Sequence, residues 1–410
     1  MNFILKYIFV FMIAFIGADR INLFSSNFEY FNFTPFILIA FVYILLILVF
    51  RISNLNFRWL YKNDLSLVFF FLMIIFILIS IFISQDYMYS IKRVIFLFFI
   101  LLAFIFSFSY FSKNDINLLV YNGTILGSFF FLIFNLLMIY LWLNFLDYEN
   151  LYIDLIPNKI SYFIPRLGGY SLDVNRGGVV LFFYTFFLFN YKKTFISKIF
   201  TAINVITLFF TFSRTVYILI FFTLIYYMFF NANRQSILKI LKYFLLTFMI
   251  GVFILLYLDS IKLIEFSSLL EERFNIDWEL SRKTSSGIHL RLIYEGLQTA
   301  LTNFKILTLG NGFGTSFLLI KGYYWSGTKY ANYHSMYITL LVECGLFAFI
   351  SSFFYTFIIP LFNKHKNIYM PIVFGLFFYN IFYQLILEPV FWFIIFIYYY
   401  ENYKVAENES

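Results

Sequence analysis

Residues 36–50, 65–84 and 94–111 are runs of apolar side chains that a water-facing surface could not hold. Wound into helices at ~1.5 Å per residue, such runs approach or cross a hydrocarbon core of ~30 Å. Inside lipid, backbone polar groups are satisfied only in helices or closed barrels. Barrel strands alternate apolar and polar residues, whereas these runs are continuous. The composition agrees: 62% of the 410 residues are hydrophobic and 12% are charged. The chain is therefore expected to be an all-α polytopic membrane protein. Its 65 phenylalanines and many isoleucines partly reflect biased base composition and carry little chemistry.

Hydrophobic runs predict about twelve transmembrane helices in a single integral membrane domain over 1–410. They cover roughly 3–18, 33–50, 65–84, 91–111, 117–143, 177–190, 196–212, 215–230, 237–258, 334–362, 368–387 and 389–402. Two long loops remain, 144–176 and 259–333. Lysine and arginine in short loops set the orientation. With the N-terminus inside, the cytoplasmic segments carry Lys6, Arg51, Arg58, Lys62, Lys113, Lys192, Lys193, Lys198, Arg234, Lys239, Lys242, Lys364, Lys366 and Lys404, mostly lysines. The arginines fall mainly on the other side. Lys92 and Arg93 fit this threading poorly, but the reverse threading would put nearly every short lysine-bearing loop outside. Both termini are expected in the cytoplasm and both long loops outside, in a multi-pass membrane protein. Lys6 precedes the first run and no small-x-small cleavage site follows, so that run reads as a first span and not a signal peptide. Within the second loop, 261–274 and 288–304 have the apolar spacing of amphipathic helices that lie along the membrane face.

The net charge of +8 suits anionic headgroups and substrates better than nucleic acid, because no basic block stands out. The single cysteine, Cys344, excludes an internal disulfide and argues against a thiolate metal site.

Arg166, Arg176, Arg214, Arg291 and His334 fall on the outer side at or just beyond span ends. Guanidinium forks there are unnecessary for insertion and suit a phosphorylated ligand. Arg166 and Arg176 bracket a glycine-containing segment that could turn N–H groups toward an anion; an ordinary loop near headgroups is the plainer reading. Arg214 sits in a very short turn, where snorkelling is the alternative. Arg291 and Glu295 are spaced to pair on one helix face. His334 opens a span, as either an interfacial side chain or a base. Gly345, eleven residues on, lies about 20° around an ideal helix and would allow close packing on the same stripe. Glu343, near mid-span, is either functional or a hydrogen-bonded packing residue. Gly310-Asn-Gly-Phe-Gly314 lacks a surrounding βαβ unit, so a tight turn is expected in place of a nucleotide loop. Asp173, Glu271, Glu272, Asp277, Glu279 and Glu295 are candidate bases that spacing does not rank. No HExxH, GxSxG or DxD pattern appears in these loops.

Taken in order, these pieces resemble the O-antigen ligase and polymerase superfamily, the Wzy-type polymerases and WaaL-type ligases, over about residues 160–350. Arg166 with Gly177 matches an R-x10-G pattern, and Thr211-Phe-Ser-Arg-Thr is similar to the family's short Ser-Arg turn. His289-Leu-Arg-Leu-Ile-Tyr-Glu followed by Leu309-Gly-Asn-Gly-Phe-Gly-Thr resembles the arginine-bearing loop helix and glycine turn. Tyr333-His-Ser-Met-Tyr opens an H-x10-G signature with a glutamate two residues before the glycine; Ser335 departs from the Asn that often follows the histidine.

The resemblance implies a GT-C-like membrane glycosyltransferase acting on undecaprenyl-diphosphate-linked sugars, with no cofactor and no obligatory metal. Arg166, Arg176, Arg214 and Arg291 are then expected to bind the substrate diphosphate, with His334 as general base and Glu295 assisting or orienting Arg291. The expected function is polymerisation of repeat units into surface polysaccharide, O-antigen or capsule. Ligation of finished glycan to a lipopolysaccharide core is the near alternative. A lipid-linked oligosaccharide flippase or other transporter is the alternative from a different class, disfavoured because polar candidates cluster outside and not at the midplane. The expected partners are lipid-linked donor and acceptor, membrane lipids, a chain-length regulator and a flippase, with no nucleic acid.

Overall fold

In a computed structural model the described residues are almost wholly helical. The structure describes residues 2–20, 33–61, 64–144, 159–160, 164–191, 194–231, 249–260, 285–323, 326–329, 331–363 and 367–408. The helices are α1 (Asn2–Ala14), α2 (Pro35–Phe50), α3 (Arg58–Tyr61), α4 (Asp64–Ile83), α5 (Tyr87–Tyr110) and α6 (Lys113–Asn144). Strands β1 (Lys159–Ile160) and β2 (Ile164–Pro165) form a minimal antiparallel ladder. Then come α7 (Val174–Asn190), α8 (Phe195–Phe209), α9 (Arg214–Tyr226), α10 (Met249–Ser260), α11 (Ser285–Thr302) and α12 (Phe304–Leu309). The chain closes with α13 (Met336–Phe353), α14 (Ile359–Phe362), α15 (Met370–Phe382) and α16 (Pro389–Asn408).

Among the described residues, four stretches are long and apolar enough to cross a membrane, Leu65–Ile83, Tyr87–Tyr110, Lys113–Asn144 and Met336–Phe362, and six shorter apolar helices accompany them. Along α4, Leu65, Val68, Phe71, Ile75, Leu78 and Phe82 are exposed at helical spacing, an apolar stripe that suits lipid contact. The expected spans 177–190 and 389–402 correspond to α7 and α16, which are buried along most of their length. An apolar sequence on every side of a helix fits either a protein interior or lipid, so hydrophobicity alone does not separate the two. In the second long loop the expected helix at 288–304 is α11, while 261–274 lies outside the described residues.

The chain forms two compact units. The first comprises residues 1–25, 32–43 and 112–275; the second comprises 26–31, 44–111 and 276–410. In the first, α1 lies on α6 where Gly123 leaves room: a Cβ there would meet the Ile13 Cβ at 2.6 Å. Gly127 likewise accommodates the buried ring of Tyr184 from α7. The Tyr184 hydroxyl donates to the Ile13 carbonyl (2.7 Å), and the Tyr170 hydroxyl donates to the Ala14 carbonyl (2.8 Å). Both carbonyls belong to the last turn of α1, and that of Ile13 also accepts from Ile16 N at 3.4 Å.

In the second unit α16 runs through the core. Trp392, Phe393, Phe396 and Tyr400 meet Phe70, Phe104, Phe108 and Trp59 at ring-centroid distances of 5.2–6.4 Å. Trp59 Nε1 donates to Ser109 Oγ at 3.0 Å, so its polar edge is not stranded in this apolar setting. α13 packs along α4.

The start of α5 is tied to the second long loop. The Tyr89 hydroxyl donates to the Lys329 carbonyl at 3.1 Å and accepts from Arg93 Nε at 2.9 Å. Arg93, awkward for the lysine rule, thus has a packing role on the loop side of this unit.

Candidate active site

Three of the four predicted arginines lie on adjoining segments of the first unit. The segment after β2 carries Arg166 and folds back on α7, where a Cβ on Gly177 would lie 2.4 Å from the Gly168 carbonyl oxygen. Only glycine permits that approach. Asp173 caps α7, accepting from Asn175 N at 2.7 Å. Arg176 therefore sits in the first turn of the helix and not in the preceding loop.

Arg166 Nε donates to the Thr211 carbonyl at 3.0 Å, and another guanidinium nitrogen reaches Asn175 Oδ1 at 3.5 Å. The same Oδ1 accepts from Ser213 Oγ at 2.6 Å. Ser213 in turn caps α9, and Arg214 is the first residue of that helix. Phe212 holds a left-handed φ of 48° in the tight α8–α9 turn. Asn175 thus binds Arg166 to the turn that presents Arg214.

Arg176 is already partnered: it forms an ion pair of 2.7 Å with Asp19. Asp19 also accepts from Leu172 N at 2.5 Å. Next to it, Arg20 was not anticipated from the sequence. Its guanidinium donates to the Ser171 carbonyl (3.2 Å) and approaches Met138 Sδ (3.3 Å). Burial pushes its pKa down, and Asp19 partly offsets this. The available signal was an Asp-Arg pair just beyond the first apolar run, on the side where arginine is not needed for orientation.

The second unit holds the other predicted residues. His334 lies two residues before α13, half-buried, with a left-handed φ of 51°. Its N–H donates to Asn332 Oδ1 at 2.8 Å, a local bond that supports a conformation most side chains avoid. The imidazole stacks on that of His289 with centroids 4.1 Å apart and planes 14° from parallel. Tyr383 meets it edge-on at 6.2 Å. Ser335 then caps α13, accepting from Ile338 N, and Met336 N donates to the Tyr383 carbonyl at 3.0 Å.

His289 belongs to α11, which also carries Arg291 and Glu295. Arg291 Nε donates to Glu295 Oε1 at 2.8 Å, the predicted i,i+4 pair. Hydrogen bonding to Glu295 raises the Arg291 pKa further, with Tyr323 contributing. α11 approaches the start of α13 at Gly296, where a Cβ would lie 2.5 Å from Ile338 Cγ2 and 2.8 Å from Tyr333 Cδ1. Burial raises the Tyr333 phenol pKa. This unit therefore presents a half-buried imidazole with a guanidinium–carboxylate pair on the adjoining helix. Such groups can accept a proton and neutralise an anion.

One expectation needs correcting here, and one open choice narrows. Gly345 does not continue the His334 stripe: its φ of 83° and ψ of 177° interrupt the helix, so ideal helical phase does not relate the two residues. Glu343 is a packing residue, 2% exposed. Its carboxylate accepts from Gly314 N (2.8 Å), Ser316 N (3.1 Å) and Ser316 Oγ (2.6 Å). The glycine turn at 310–314 thus wraps a protein carboxylate. Among the candidate acids, Asp173 is a helix cap and Glu295 an arginine partner, while Glu271, Glu272, Asp277 and Glu279 lie outside the described residues.

Residues 199–353 match the model of a family described as O-antigen ligase. The matched stretch contains Arg214, Arg291, Glu295 and His334, while Arg166 and Arg176 precede it. Comparisons with curated proteins and with solved structures gave no match.

Proposed function

We propose that this chain polymerises undecaprenyl-diphosphate-linked oligosaccharides into surface polysaccharide on the outer face of the bacterial cytoplasmic membrane. The observation that supports the reading, at the level of glycan transfer common to polymerases and ligases, is the family match over 199–353, which includes Arg214 and the His334–α11 corner. An acceptor sugar hydroxyl attacks the anomeric carbon of the donor and gives its proton to His334. The bond from that carbon to the lipid diphosphate breaks, and the leaving group departs with the electron pair. Direct displacement inverts the anomeric centre.

Negative charge grows on the diphosphate as it leaves, so fixed guanidinium groups favour the transition state over the ground state. Arg291, oriented by Glu295, and Arg214, whose turn Arg166 supports, are each candidates for that role. Arg176 binds diphosphate only in exchange for, or alongside, its Asp19 partner, which makes it the weakest of the four. The termini face the cytoplasm, and a flippase and a chain-length regulator act alongside.

The test is whether purified protein in proteoliposomes lengthens a defined diphosphate-linked repeat unit without a soluble sugar donor. Movement of the lipid-linked substrate without a new glycosidic bond would assign the chain to transport. The second reading, ligation, is favoured by the description of the matching family itself. Loss of a polymerase leaves single repeat units on the final acceptor, whereas loss of a ligase leaves long glycan on the carrier lipid.

A further inference from the structure

Among the described residues, the His289 ring stacks directly on His334, and the proposed function leaves it without a role. It comes from α11, and its placement is specific. Gly296 lets α11 lie against Tyr333 and Ile338, Leu292 is fully buried on the same helix, and His334 is turned into a left-handed conformation by its bond to Asn332. With both sides fixed, the two imidazoles lie nearly parallel at 4.1 Å.

We propose that His289 is a positioning residue for His334, a reading that rests on His334 being the proton acceptor of the transfer reaction. The stack does two things. It holds the His334 ring in one orientation, which a half-buried side chain ahead of a helix would otherwise lack. It also keeps that ring ready to accept a proton. Two imidazolium cations face to face repel each other, so the stacked pair carries one proton more readily than two.

Among the described residues, charged and titratable groups come toward the ring from more than one element, with Tyr323 and Tyr333 beside the Arg291–Glu295 pair. From α11 come His289 itself and, further along, Arg291 with its partner Glu295. From the segment after α15 comes the Tyr383 phenol. Arg291 adds to the cost of a second positive charge, and Glu295 partly offsets Arg291. In the reaction the acceptor hydroxyl proton passes to His334 as the new C–O bond forms. The pair then holds that single proton until water takes it, which restores the free base.

The test uses the full-length protein in proteoliposomes with a diphosphate-linked repeat unit, measuring rate between about pH 5 and pH 9, the range in which imidazoles titrate. The variants are His289→Phe, His289→Ala and His334→Ala. Phenylalanine keeps a flat ring but removes the competing charge. The acid limb of its profile should move upward by about one pH unit, because His334 then takes a proton more easily. Alanine removes the stack, and should lower kcat about ten-fold with KM within about two-fold, the pattern of a lost transition-state contribution. His289→Tyr gives the same readout as phenylalanine should that variant fail to accumulate. An acid limb and kcat equal to wild type in all the position-289 variants, with His334→Ala inactive, would overturn the positioning role and leave the transferase reading standing. Full activity in His334→Ala would overturn both the base assignment and this inference.

Discussion

At the scale of single residues, hydrogen-bond geometry separates groups that a partner orients from groups whose acceptors are taken up in packing. Arg291 is held in one fork orientation by Glu295. A lysine could carry the charge but could not both bind Glu295 through one nitrogen and present a planar fork beyond it. Arg291→Ala should therefore lower kcat by about 100-fold or more, and Arg291→Lys should recover little of it. Steady-state rates of the two purified variants check this. Glu343 is the opposite case. Its carboxylate terminates three hydrogen bonds from Gly314 and Ser316 in a buried place. Glu343→Ala should strip three donors of their acceptor, each worth ~1–3 kcal/mol when buried and unpaired. The expected result is a lower thermal midpoint in detergent, with Glu343→Gln intermediate because one amide oxygen still accepts. Sequence alone left both roles open for Glu343, since an isolated glutamate in an apolar run looks the same whether it binds substrate or a loop.

At the scale of elements, short connections do most of the positioning. Asn175 links the Arg166 segment to the α8–α9 turn through one carboxamide oxygen. Asn175→Asp keeps the acceptor and adds a negative charge beside Arg166. The fold should survive while KM for the donor rises about ten-fold, the equivalent of ~1.4 kcal/mol. A wild-type KM in this variant would remove Arg166 from donor binding. Gly296 plays the corresponding part between α11 and α13. Gly296→Val should force the helices apart at Ile338 and Tyr333, at a cost of ~1–3 kcal/mol, and depress activity by disturbing His289 against His334. Thermal unfolding and turnover measured together would test it.

Much of this level was legible in the sequence. The apolar runs located α4, α5, α6 and the stretch Met336–Phe362 within a few residues, and the i,i+4 spacing announced the Arg291–Glu295 pair. The interrupted helix at Gly345 was not legible, because a glycine in an apolar run reads equally as a packing notch. Nor was Arg20, whose role depends on Ser171, distant in the chain. The His289–His334 stack was hidden for the same reason: helical periodicity places a residue on a face without saying which loop will meet it.

At the scale of the whole molecule, the orientation in the membrane rests on which connections carry lysine and which carry arginine. The single cysteine makes this easy to examine, since Cys344 is buried and can be replaced. In a Cys344→Ser background, Lys329→Cys should react with a membrane-impermeant maleimide added to intact cells, and Lys404→Cys should react only after lysis. The reverse pattern would put the His334 corner on the wrong side for a lipid-linked glycan. The two compact units also divide the predicted residues: Arg166, Arg176 and Arg214 lie in the first and Arg291, Glu295 and His334 in the second. The family match begins inside the first unit and continues into the second.

The glycine turn and the broken helix interlock. A Cβ on Gly310 would sit 2.1 Å from the Glu343 carbonyl oxygen, and a Cβ on Gly345 would sit 2.3 Å from that of Thr308. Each backbone occupies the space that a side chain on the other would need. Neither position can drift on its own, so in descendants of this chain the two should be inherited or replaced as a pair. A lineage that regularised the helix would have to rebuild the turn in the same evolutionary step.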